Sequence, residues 1–368
     1  MISAPPGAPA VARPKVALCL AGGGITGAMY EVGALAALGD VFGLEEDAFD
    51  VIVGVSTGAT VAAAVAGGGS VTRLYRAILD PADDYFPLRR HHLLRMDFDE
   101  WRRTIVSGAL ALRAGSGALV IRARGGAPSP RDLWEQLDRF YDSLPAGLFS
   151  LDGYERFLES FFLRRDIPTS FRAMPRALRI IAYDLDRGER VVFGGEGWED
   201  VPVSLACTAS MAQPLFFSPV RARSRRFIDG SVGGTAHLDV ALAEDPDLVV
   251  VVNPLVPFRT DQTGVPTGHG ERGSLRDKGL MWINDQATRV GAAARLRDAL
   301  LRLGEDRSRV LVLSPTPEEA TIFLHNPASF AHRRAILEQA YTTTREHLLA
   351  FARDRPEAAA RAGWTLRV

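Results

Sequence analysis

Residues 16–69, VALCLAGGGITGAMYEVGALAALGDVFGLEEDAFDVIVGVSTGATVAAAVAGGG, decide the fold class. The run from Val16 to Leu20 is short, apolar and closed by glycines, the pattern of a buried strand. Beyond it Met29, Val32, Leu35 and Ala36 recur at helical spacing, and Gly39 is the expected stop. DVIVGV then reads as a second buried strand. After Ser56, TGATVAAAVAGGG is rich in small residues and reads as a tightly packed helix. Strand, helix, strand and helix within about 50 residues imply parallel βαβ winding.

Further along, the pattern changes. Residues 80–175 are rich in arginine and aromatics and show helical rather than strand patterning. Arg89, Arg90, His91, His92 and Arg95 stand beside leucines, and Phe157, Phe161 and Phe162 fall at helical spacing. Two readings are open for this insertion: a helical cap with its aromatics in the core, or a lid presenting an aromatic and basic surface to lipid. The sheet is expected to resume at ALRIIAYDL, turn at Asp186-Arg187-Gly188 and return as ERVVF. DLVVVVN at 247–253 is the clearest buried strand, and VLVLS at 310–314 is one more. Residues 1–14 read as a flexible leader, 15–260 as the main domain, 261–279 as a loop without regular structure, and 280–368 as a mainly helical part of the same domain.

Composition narrows the function classes. The chain has 368 residues, 47% hydrophobic and 24% charged, the range of an ordinary globular protein. Lys and Arg total 43 against 44 Asp and Glu, a net charge of −1. A protein gripping nucleic acid by its phosphates carries a basic excess, so nucleic acid is not an expected partner. Two cysteines, Cys19 and Cys207, lie in apolar or small-residue surroundings and read as buried free thiols. Seven scattered histidines form no metal-ligand spacing, so no metal is expected. No G-x-x-x-x-G-K-[ST] loop is present, which argues against nucleotide-triphosphate chemistry. No stretch of 18 apolar residues suggests a bilayer-spanning helix. A cytoplasmic protein is expected, with membrane contact only from outside the bilayer.

Two glycine motifs carry the chemistry. In GVSTG, residues 54–58, a serine sits between a strand and a helix with glycines two positions away on each side. This is the nucleophile-elbow pattern: a sharp turn exposes Oγ at a helix N-terminus, and the glycines remove side chains that would clash. The alternative is a serine that merely caps a helix. In GGGITG, residues 22–27, Gly22, Gly24 and Gly27 also fit the dinucleotide fingerprint, with Glu45, Glu46 or Asp50 as its acidic partner. The same glycines present backbone N–H groups unobstructed by side chains, which suits an oxyanion hole. An acyl hydrolase explains both motifs, whereas a dinucleotide site leaves the serine elbow without a purpose. The nucleophile needs a base. Asp229 in RRFIDGSVGG is the candidate, and His237 would complete a triad instead.

Four ordered pieces, GGGITG, GVSTG, ASMAQPLFFSP (209–219) and DGSVGG, make the sequence resemble the patatin-like phospholipases, lipid acyl hydrolases that use a Ser-Asp dyad. The resemblance implies an α/β fold: a three-layer sandwich with a mainly parallel central sheet, a helical insertion and a helical C-terminal region. It implies Ser56 as nucleophile, Asp229 as base, the amides of Gly22, Gly23 and Gly24 as oxyanion hole, a lipid or phospholipid ester as substrate, and no cofactor. A lipid acyltransferase using the same serine is the neighbouring possibility. Thr26 stands where the family commonly has arginine or lysine, which leaves preference for phosphate-bearing substrates open. Ser231 replaces the usual glycine or alanine after Asp-Gly, a change that keeps the dyad credible.

Overall fold

The computed structural model describes residues 13–44, 47–80, 82–97, 101–102, 104–106, 134, 138, 142, 144–267, 270–324 and 332–367. Eight strands make the central sheet: β1 (Val16–Leu20), β2 (Val51–Val55), β3 (Ala177–Asp184), β4 (Glu189–Phe193), β5 (Val220–Ala222), β6 (Arg225–Asp229), β7 (Leu248–Val252) and β8 (Val310–Leu313). Their order is β8-β7-β1-β2-β3-β6-β5, with β4 on the other edge of β3. The pairings from β8 through to β3 are parallel. Those joining β3, β4, β5 and β6 are antiparallel. The sheet is therefore mixed, its parallel half built by the winding that residues 16–69 predict.

The strand period of two sends alternate side chains to opposite faces. Leu18, Leu20, Ile52, Val250 and Val252 pack on one face, and Cys19, Val53, Val55, Val249 and Val251 on the other. Burial on both faces is why these strands read as unbroken apolar runs. The first face is covered by helices α1 (Gly24–Phe42), α2 (Thr57–Ala66), α3 (Val71–Leu79), α4 (Asp152–Arg164), α5 (Val203–Ser210) and α7 (Arg333–Asp354). The second is covered by the short helix Leu238–Leu242 and by α6 (Leu280–Arg302) through Leu296. The result is the expected three-layer sandwich. Helix α1 is apolar and long enough to cross a membrane by composition alone, yet most of it is buried inside the protein.

Several local expectations need correction. Helix α1 runs through Gly39 and stops at Gly43, which takes a left-handed φ of 63° and returns its N–H to the Gly39 carbonyl. A glycine inside a helix costs only about 1 kcal/mol, so a better C-cap four residues later wins. The loop at 261–279 contains a short antiparallel ribbon, Val265–Pro266 with Arg272–Gly273. The insertion is not wholly helical: Arg95–Met96 and Gly147–Ser150 pair with each other, and the second pairs with Leu215–Phe217. The flexible leader expected at 1–14 falls mostly outside the described residues. Arg13 is described and pairs with Asp50.

The aromatics of α4 are core. In α4, Tyr154, Phe157, Leu158, Phe161 and Phe162 recur every three or four residues and are buried. Phe86 meets Phe157 and Phe161 edge-on at 5.3 and 4.9 Å. Arg89, Arg90, His91 and Arg95 stay at the surface while His92 stacks on Phe157. In the described part of the insertion, α4 turns its aromatics inward and the stretch 89–95 leaves a basic exterior.

Candidate active site

The register of β3 explains how the site assembles. Its first five residues pair with β2, ending at Val55 opposite Ile181, and Ala182 onward pairs with β6, starting at Asp229. Strands β2 and β6 therefore run toward each other along one edge of β3 and stop head to head. Ser56 follows one end and Asp229 closes the other. Although 173 positions apart in sequence, Ser56 Oγ donates to Asp229 Oδ2 at 2.7 Å.

The elbow is strained and held. Ser56 has φ 54° and ψ −132°, a conformation that costs a non-glycine residue on the order of 1–3 kcal/mol. Its N–H donates to Ser210 Oγ at 2.8 Å, and that hydroxyl donates to the Ile181 carbonyl at 2.6 Å, where β3 changes partner. The motif glycines are contact requirements. A Cβ on Gly54 would lie 2.6 Å from Ala59 Cα, and one on Gly58 would lie 2.8 Å from both the Leu20 carbonyl and Glu31 Oε1. Strand and helix approach too closely for any side chain there.

The glycine loop lies against the elbow. Gly22, Gly23 and Gly24 all have positive φ, at 76°, 111° and 70°. A Cβ on Gly22 would sit 2.5 Å from the Val55 carbonyl and 2.8 Å from Ser56 Cβ, so this position admits only glycine. Thr57 Oγ1 donates to the Gly24 carbonyl at 2.8 Å and ties the loop to α2. The three amides are not equivalent. Gly22 N–H is taken by Glu31 Oε1 at 2.7 Å. Among the described residues, Gly23 and Gly24 N–H groups donate to no protein acceptor, and both glycines line the cavity that contains Ser56.

Burial sets the electrostatics around the Ser56–Asp229 contact. Burial raises the Asp229 carboxyl above its ordinary value, opposed by hydrogen bonds from the Ser56 hydroxyl and the Ser231 amide. The Ser231 N–H reaches Oδ1 at 2.8 Å and leaves Oδ2 to the serine. His237 is elsewhere engaged. Its Nε2–H donates to the Gly230 carbonyl at 3.1 Å, which leaves Nδ1 to accept from Arg190 at 3.2 Å. Burial holds that imidazole near neutral, its pKa down to about 4. Neither ring nitrogen bonds Ser56 or Asp229.

The cavity at Ser56 has a volume of about 440 Å³ and is walled largely by apolar residues, among them Leu93, Met211, Phe217, Leu255 and Trp282. Behind it lies an apolar pocket of about 50 Å³ that shares Ile25, Thr57, Leu93 and Met211 with it. The dinucleotide alternative loses one of its three candidate acids. Asp50 precedes β2, at the opposite end of the sheet from the glycine loop, and is engaged with Arg13 and the Val16 amide. Glu45 and Glu46 lie outside the described residues. Both cysteines are buried and unpaired. Among the described residues no three His, Cys, Asp or Glu side chains gather as a metal site.

Sequence reasoning missed Ser210 and Glu31. Ser210 lies inside the quoted ASMAQPLFFSP segment, but nothing local shows that its hydroxyl reaches Ser56. Glu31 carried one signal, a charged residue on the apolar face of α1.

No curated protein matches the chain by sequence. Among solved structures it is similar to VipD from Legionella pneumophila, at 14% identity and a TM-score of 0.35, over 92% of this chain and 67% of that one. It is also similar to full-length ExoU of Pseudomonas aeruginosa in complex with SpcU, at 16% identity and a TM-score of 0.33, over 95% of this chain and 60% of that one. ExoU described as a type III effector matches at 17% identity and a TM-score of 0.32, over 92% of this chain and 53% of that one. The chain thus spans little more than half to two thirds of these proteins. The sequence profile described as patatin-like phospholipase matches residues 18–242, from β1 through the helix that follows Asp229. With that profile covering more than half of its length and both glycine motifs, the chain belongs to the patatin-like phospholipases, a family of lipid acyl hydrolases.

Proposed function

We propose that this chain hydrolyses carboxylic esters of lipids through a Ser56–Asp229 dyad and an acyl-enzyme. The observation that carries the reading is the 2.7 Å contact from Ser56 Oγ to Asp229 Oδ2, made without an imidazole in an apolar cavity. Asp229 takes the hydroxyl proton as Oγ attacks the ester carbonyl. The carbonyl oxygen becomes an oxyanion to which the Gly23 and Gly24 amides donate, while Gly22 shapes the loop. Collapse breaks the bond to the leaving alcohol, which receives the proton from Asp229. Water then gives a proton to Asp229, attacks the acyl-serine and releases the fatty acid with Ser56 restored. Apolar walls and the pocket behind them suit the acyl chain.

We also infer that the enzyme works in the cytoplasm and meets lipid from outside the bilayer. Exposed Leu94 on the cavity wall, the nearby exposed Met96 and surface Arg89 and Arg95 support the contact with lipid. The testing experiment is fluorophosphonate labelling followed by mapping of the modified residue. Modification of Ser56, together with loss of ester hydrolysis in Ser56→Ala, is the expected result. Labelling elsewhere, or activity in Ser56→Ala within tenfold of the parent, would overturn it.

A further inference from the structure

Helix α1 begins at the glycine loop, and two turns later Glu31 points back into it. This side chain is fully buried. Oε1 accepts the Gly22 N–H at 2.7 Å, and the same oxygen lies 2.8 Å from where a Cβ on Gly58 would stand. One carboxyl oxygen thus touches both the loop that carries the oxyanion donors and the first turn of the helix behind Ser56. Among the described residues Oε2 has no hydrogen-bond partner.

We propose that Glu31 is a positioning residue for the oxyanion loop, acting through the Gly22 amide and only in its neutral form. The proposal rests on the Ser56–Asp229 reading and assigns Glu31 no contact with substrate.

The physical case has two parts. Three consecutive positive-φ glycines have little intrinsic preference for one conformation, so the loop must be pinned from outside. The Glu31 bond fixes Gly22, and through it the direction of the next two amides. Secondly, an ionised carboxylate at the root of the loop would oppose an oxyanion forming beside it in a dry site. Among the described residues no cation pairs with Glu31. Of the ionisable groups on surrounding elements, Tyr30 on α1, Asp229 on β6 and Arg289 on α6 do not pair with Glu31. Tyr30 is buried against Thr344, Asp229 holds Ser56 and Ser231, and Arg289 bonds Asp285 and the Pro254 carbonyl. Burial pushes the Glu31 acid up to about 8, opposed only by the Gly22 amide. The group is therefore protonated at neutral pH and ionises just above it.

The experiment measures kcat and KM for a soluble p-nitrophenyl ester from pH 6 to 10 in the full chain, with Glu31→Gln and Glu31→Ala beside it. The parent should lose kcat above about pH 8 with little change in KM. Glu31→Gln keeps an acceptor for Gly22 without an ionising group, so at neutral pH it should act within about threefold of the parent and show no alkaline loss. Glu31→Ala should lose about 10²-fold in kcat, the scale of a misplaced oxyanion donor. Persistence of the alkaline loss in Glu31→Gln would overturn the proposal, as would full kcat in Glu31→Ala. If Glu31→Ala fails to fold, the comparison of parent with Glu31→Gln still decides. Failure of the dyad reading shows separately, as an active Ser56→Ala.

Discussion

Ser210→Ala tests whether the elbow is held in place by a residue that never meets substrate. The substitution deletes one hydroxyl and two hydrogen bonds, the 2.8 Å acceptance from Ser56 N–H and the 2.6 Å donation to the Ile181 carbonyl. Ser210 is fully buried and Ser56 is 5% exposed, so water cannot readily replace either bond. A buried donor or acceptor left alone costs about 1–3 kcal/mol, so the variant should lose about 2–4 kcal/mol of stability. The catalytic effect is separate. Ser56 keeps its positive φ only while its surroundings over-determine it, and freeing its N–H lets the turn relax. A shift of roughly 1 Å at the nucleophile costs about 10²-fold, so kcat should fall ten- to a hundredfold at nearly constant KM. Urea unfolding gives the first quantity; ester turnover and the rate of fluorophosphonate labelling give the second. Thr208→Ala is the control, because its hydroxyl bonds only the Ser204 carbonyl of the same helix. Unchanged stability and full kcat in Ser210→Ala would refute the argument.

In the same ester assay Asp229→Asn should fall several orders of magnitude, nearly as far as Ser56→Ala, while His237→Ala stays within about threefold. A folded His237→Ala as dead as Asp229→Asn would put an imidazole back into the mechanism. Because burial raises the Asp229 pKa, kcat/KM should rise with pH through an apparent value above the ordinary carboxylate range, unaffected by His237→Ala. The same shift fixes a stability effect. A carboxyl with a folded pKa above its unfolded value is disfavoured once ionised, so it lowers stability as pH climbs past the unfolded value. Asp229→Asn should therefore melt higher than the parent at pH 7 and lose that advantage at pH 3; equal melting points at pH 7 would contradict it. Gly22→Ala meets two atoms closer than 3 Å at positive φ; strain of about 1–2 kcal/mol plus the clash should lower Tm by several degrees and remove most activity, and a stable, active variant would show that the loop is loosely packed.

How much of this was legible in the sequence depends on how local each signal is. Strand, glycine turn and helix are local, so residues 16–69 give the parallel half of the sheet and place Ser56 and the glycine loop at one edge. The antiparallel half is legible only as ALRIIAYDL and its hairpin with ERVVF. That β3 serves two neighbours on one edge, β2 to Ile181 and β6 from Ala182, depends on register between segments far apart. No local pattern encodes it. Ser210 is hidden for the same reason, since its partners Ser56 and Ile181 lie 154 and 29 positions away. The Gly39 stop was misplaced because Gly43 offers a true left-handed cap. The 261–279 ribbon and the strands of the insertion were missed because two- to four-residue pairings leave no periodicity.

The features unfavourable to stability gather at one place. Ser56 holds a strained backbone, Asp229 and Glu31 are carboxyls stripped of water with no cation paired to them among the described residues, and three glycines in a row occupy positive φ. Each is individually destabilising. They persist because β1, β2 and β7 are buried on both faces and fix the sheet edge on which all of them stand. The proposed mechanism gives them a purpose: the strain exposes Oγ, desolvation would bring Asp229 nearer to the pKa of an effective base, and the glycines would clear a path for the oxyanion. A serine that merely capped α2 would need none of these. Its Oγ would bond an amide of that helix, yet Ser56 makes no such cap and turns its hydroxyl to Asp229 across the gap between two strand ends.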